Sequence, residues 1–137
     1  MKRISLAFAG LSALILMLPE LASAAPVGRN MRAYPVNDTV FEVIARTAGG
    51  SNDYWCGAAD YAQRVLGAPW AAQIYVARGR GPSVTTGRRT AVQFTLDAAA
   101  AGVTPRGKDI VLSRLQPGDH MSVQQAKLYC GPAPVRP

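Results

Sequence analysis

The chain has 137 residues, 49% of them hydrophobic, and a formal net charge of +7. That length confines it to one domain, and so basic a balance directs it toward anionic partners: a small anionic molecule, an acidic glycan or an envelope surface. One histidine and two cysteines give no spacing that zinc or calcium needs, no cofactor motif appears, and no zinc-finger, arginine-tail or aromatic RNA-binding pattern points to nucleic acid.

Residues 1–24 read as a cleavable signal peptide: MKR, an apolar run over 4–18, then Ala22-Ser23-Ala24 ahead of Ala25. Fifteen apolar residues fall short of the roughly 20 that span a bilayer, and no cysteine follows the run to accept a lipid. The expected product is secreted or periplasmic, with no transmembrane segment after cleavage. Lys2, Arg3 and Glu20 leave with the leader, which lowers the charge to +6, and eleven of the thirteen remaining basic residues are arginine.

Residues 25–38, with Pro26, Gly28, Pro35 and Asn37, read as an extended lead-in. The β-branched and aromatic content of 39–47 predicts a strand, with Phe41, Val43 and Ala45 on one face and Val40, Glu42 and Ile44 on the other. The segment 53–66 is the clearest helix: Trp55, Ala58, Ala59, Ala62, Val65 and Leu66 make one apolar stripe, Asp53 or a neighbour caps the start, and Gly67 ends it. Alternation predicts strands at 72–79 and 89–97, the latter with Val92, Phe94 and Leu96 on one face. A single helical turn at 97–102, a short strand at 109–113, a turn at 116–119 and a helix capped by Ser122 follow. The Pro-rich tail 131–137 supports no regular element. Together, 39–130 read as one small α+β domain, an antiparallel or mixed sheet of three to four strands packed on two helices.

An exported protein with two cysteines, Cys56 near one helix start and Cys130 near another's end, is expected to join them in one disulfide. The loop 78–89 collects Arg78, Arg80, Arg88 and Arg89 among glycines and threonines, and a guanidinium fork matches the paired oxygens of phosphate or sulfate. That loop is the candidate anion-binding element. Tyr54 and Trp70 are candidates for carbohydrate stacking if exposed, and Trp55 belongs in the core.

An alternative rests on YWCGAA, residues 54–59, and LQPGDH, residues 115–120. A cysteine opening a helix, with a histidine some sixty residues later, is the order of nucleophile and base in the secreted peptidoglycan hydrolases of the NlpC/P60 type. LQPGD resembles the turn that precedes a core strand in that family. The resemblance implies a cysteine hydrolase with Cys56 as nucleophile, His120 as base and Asp119 or Asp60 orienting the ring, and it requires Cys130 to be free.

Overall fold

The computed structural model of the chain describes residues 24–28, 30–46, 49–88, 90–107 and 115–131. Among the described residues six strands form one sheet: β1 (Ala25–Val27), β2 (Met31–Pro35), β3 (Val40–Ala45), β4 (Gln73–Gly81), β5 (Ala91–Thr95) and β6 (His120–Ser122). Their spatial order is β1-β2-β3-β5-β4-β6, and every neighbouring pair is antiparallel. Helix α1 (Ser51–Arg64) covers one sheet face, and α2 (Val123–Lys127) runs into a 3-10 turn at Leu128–Cys130. This is the α+β domain of an antiparallel sheet packed on two helices that the sequence predicts, with six strands rather than three to four among the described residues.

The additional strands come largely from the lead-in. In β2 the pattern Met31-Arg32-Ala33 alternates buried, exposed, buried, and β2 pairs with β3 through Ala33↔Val43 and Met31↔Ala45. This period-two signal is only five residues long and is flanked by turn formers, so Pro26, Gly28, Pro35 and Asn37 mask it. The leader apart from Ala24, the strand expected at 109–113, Arg89 and the tail beyond Gly131 lie outside the described residues.

The faces of β3 and β5 match expectation. Phe41 opposes Phe94 and Val43 opposes Val92, and all four are buried beneath α1. Rings lock the two layers together, Phe41 lying 4.5 Å from Tyr61 and Trp55 lying 5.3 Å from Phe94.

Helix α1 is buried along Tyr54–Ala62 without a break. The sheet lies on one side of it, and the C-terminal helix on the other. Small residues make this double contact possible: Gly57 stands where a Cβ would come within 2.8 Å of Val43 Cγ1. Val65 and Leu66, predicted on the buried stripe, are instead 50% and 48% exposed. The helix stops at Arg64, and Gly67 at φ +67° turns the chain away, so the stripe is cut one turn short.

Strand β4 departs from ideal pairing twice, between Val76 and Arg78 and between Arg78 and Gly81. Each irregularity inserts a residue and reverses the side-chain alternation. The face away from α1 is therefore not bare sheet. Residues 82–88 fold back across it.

Candidate anion-binding site

Glu42 organises that face. It sits mid-strand with 0% exposure, and its carboxylate accepts hydrogen bonds from Ser83 Oγ at 2.5 Å, Thr85 N–H at 2.9 Å, Val84 N–H at 3.2 Å and the Thr85 hydroxyl. Burial pushes its carboxyl up, yet the bonds from Ser83, Thr85 and Val84 outweigh burial and hold it below the ordinary value. Ser83 Oγ also accepts the Thr86 amide at 2.9 Å, and Ser83 N–H closes on the Arg88 carbonyl at 2.7 Å. The arginine-bearing loop is thus pinned to the sheet by one buried charge.

The arginines predicted to act together are parted by the two β4 irregularities. Arg78 pairs in register with Gln93 and donates to the Pro82 carbonyl at 2.6 Å, so it holds the loop. Arg80 reaches the α1 side instead, donating to the Gly49 carbonyl at 3.0 Å and Ser51 Oγ at 3.1 Å, with its guanidinium 4.9 Å from the Tyr54 ring centroid.

Arg88 finds different company. With Arg32, Tyr34, Ile44, Arg46 and Thr86 it lines a concavity of about 180 Å³. Arg32 lies opposite Ile44 in the β2–β3 ladder, and the Arg46 N–H bonds the Asn30 carbonyl at 3.1 Å, which keeps the end of β3 beside the β1–β2 turn. Among the described residues the ion pairs engage Arg64, Arg106 and Lys127, and the guanidinium groups of Arg32, Arg46 and Arg88 have no carboxylate partner. Three exposed like charges around one hollow repel one another, and an anion seated there relieves that repulsion. Arg32 and Arg46 escape sequence reasoning because they belong to different segments from the loop. The usable signal is Arg32 on the polar side of the MRAYP alternation.

The cysteines are joined, Sγ to Sγ at 2.05 Å. Because α1 begins at Ser51, Cys56 lies in its second turn and is 3% exposed, not in the first turn where unpaired amides favour a thiolate. Asp60, one turn further along, accepts from Lys127 Nζ at 2.8 Å, Arg64 at 2.7 Å and Gly28 N–H at 3.1 Å. This clamp lies one helical turn from the disulfide and ties α1 to α2 and to the β1–β2 turn.

His120 opens β6 opposite Tyr75. Its Nδ1 is 3.0 Å from Gln73 Oε1 and its Nε2 donates to the Arg106 carbonyl at 3.2 Å. Asp119 is buried and accepts from Arg106 at 3.1 Å and from the Gln116 amide at 2.9 Å. The candidate nucleophile sulfur, base and orienting carboxylates of a cysteine hydrolase are therefore each engaged in holding the fold. Tyr54 is fully buried, which removes it as a stacking surface, while Trp70 is 50% exposed.

Among the described residues no group of three or more His, Cys, Asp or Glu could hold a metal ion, and no helix is long and apolar enough to cross a membrane. Compared with protein-family models, curated proteins and solved structures, the chain matches none.

Proposed function

We propose that this domain is an exported anion-binding module. Its ligand carries phosphate, sulfate or carboxylate groups, presented on a small molecule, a glycan or an envelope surface. The observation that carries the proposal is the set of three guanidinium groups, Arg32, Arg46 and Arg88, around one hollow with no carboxylate paired to them among the described residues. Guanidinium forks bind oxyanions through paired hydrogen bonds. Tyr34 in the lining supplies a further hydroxyl group, while the Thr86 hydroxyl is engaged with Ser83 Oγ and holds the rim. Because Glu42 fixes the loop before a ligand arrives, little ordering entropy is lost on binding.

The leader-like residues 1–24 support a reading in which this binding takes place in the periplasm or the medium. A disulfide suits that oxidising setting.

Titration of the disulfide-intact protein with inorganic pyrophosphate, followed by amide chemical shifts, tests the assignment. Saturable shifts at Arg32, Arg46, Thr86 and Arg88 that weaken steeply with added salt are expected. The triple variant R32Q/R46Q/R88Q should abolish them without altering the fold. Binding that survives the triple variant would remove the site.

A further inference from the structure

A second pocket, of about 320 Å³, opens at the other end of the same strands. Its walls come from Pro35 at the end of β2, the turn 37–39, Val40 and Phe41 of β3, Leu96 and Asp97 after β5, Tyr61 in the last turn of α1 and Leu66 just beyond it. Phe41, Val40, Leu66 and Leu96 make the lining predominantly apolar, and the volume lies at the lower end of the range for small-molecule pockets.

Three polar features bear on its occupant. Tyr61 is only 4% exposed, and its hydroxyl has no hydrogen-bond partner among the described residues. Asp97 uses Oδ1 to accept the Ala100 amide at 3.0 Å, which leaves Oδ2 open, and Asp38 is exposed with no cation paired to it among the described residues. The C-terminal end of α1, where the helix dipole is negative, supplies Tyr61 and the adjoining Leu66 to the wall.

From this juxtaposition we infer that the pocket binds a small, mainly apolar ligand carrying a protonated amine. The ring or chain lies on Phe41 and Leu96, and the ammonium is held by Asp38, Asp97 and the Tyr61 hydroxyl. The chain's overall positive charge does not oppose this. The arginine hollow is reached through Ile44, four residues along β3 from Val40, a separation of about 13 Å, which exceeds the screening length of about 8 Å at physiological salt. The inference is independent of the anion proposal and extends it: the β2–β3–β5 strands carry a cation-lined hollow at one end and a carboxylate-rimmed pocket at the other.

Three probes that share a ring test it: phenethylamine, 2-phenylethanol and phenylacetate, each titrated into the disulfide-intact protein while the Val40 and Leu96 methyl shifts are followed. The amine should bind about tenfold more tightly than the alcohol, and the acid most weakly. D97N keeps the side-chain oxygen that accepts the Ala100 amide, and D38N and D97N should each reduce amine affinity about three- to fivefold while leaving the alcohol unchanged. Y61F should weaken the amine and keep the stack on Phe41. Equal affinities for the three probes, no saturable shifts at these methyls, or an amine preference that persists in D38N/D97N would each overturn the inference. Pyrophosphate titration of D38N/D97N serves as a folding control, because the arginine hollow is untouched.

Discussion

Replacing Glu42 with glutamine isolates the buried charge that fastens the loop to the sheet. In the wild type, Glu42 Oε1 accepts Ser83 Oγ, the Thr85 amide and the Thr85 hydroxyl, while Oε2 accepts the Val84 amide. In E42Q one carbonyl oxygen can still serve the first three, but the new NH2 group faces the Val84 N–H, donor against donor. An orphaned buried donor costs about 1–3 kcal/mol, and reducing three charge-assisted bonds to neutral ones removes about 1 kcal/mol more, so a loss of about 2–4 kcal/mol is expected. With a urea slope of about 2 kcal/mol/M the midpoint should fall by about 1–2 M. The sign of the pH dependence follows from the lowered carboxyl. Its contribution is complete above the unfolded carboxylate value of about 4.3 and is lost as pH falls through the lower folded value, so the gap between wild type and E42Q should close in acid. Urea unfolding by circular dichroism at neutral pH and at about pH 3 measures both effects. A variant as stable as wild type at neutral pH, or a gap that stays constant into acid, would refute the assignment of Glu42 as the loop's anchor.

Two further perturbations address α1. Changing both Cys56 and Cys130 to alanine opens a span of 74 residues, which in the chain-entropy account removes about 4.5 kcal/mol. Thermal unfolding of that variant should show a large drop, and a loss under about 1 kcal/mol would mean that the Asp60–Lys127 clamp alone secures α2. Gly57→Ala introduces a Cβ 2.8 Å from Val43 Cγ1 and 3.4 Å from Val27 Cγ2. Overpacking of about 1–3 kcal/mol then exceeds the helix-propensity gain of about 1 kcal/mol. Net destabilisation in urea is expected, and a more stable variant would show that α1 can lift off the sheet without loss.

What the sequence disclosed divides along physical lines. Apolar periodicity located α1, β3, β4 and β5, and the faces of Phe41, Val43, Val92 and Phe94, because burial of one face writes a period into the chain. Compartment logic paired Cys56 with Cys130. β1 and β2 were missed because an edge hairpin of three- and five-residue strands among glycine and proline leaves too short a pattern. The arginine cluster of the sequence is an adjacency in the chain, whereas the proposed site is an adjacency in space. Two irregularities in β4 send Arg78 and Arg80 to opposite sides of the sheet, and among the described arginines of the loop Arg88 alone lines the hollow. The glycines of RGRG, residues 78–81, mark where a bulge is allowed but do not state its register. Glu42 carried the missed clue: a lone carboxylate inside VFEVIA, residues 40–45, must find donors if the strand is central.

Glu42 also explains how three arginines remain available beside a carboxylate. It lies two residues from Ile44 on the same strand face, opposite Tyr34 in the β2–β3 ladder, and so next to the hollow. An accessible carboxylate there would pair with Arg32 or Arg88 and occupy the site from within. Instead both of its oxygens are taken by Ser83, Val84 and Thr85, donors from the segment that leads directly to Arg88. The same hydrogen bonds that remove the competing anion hold Thr86 and Arg88 at the rim. E42Q should therefore weaken pyrophosphate binding even though it deletes a nearby negative charge. A purely Coulombic site would respond in the opposite direction, and the sign of that change separates a preorganised hollow from a diffuse patch of positive charge.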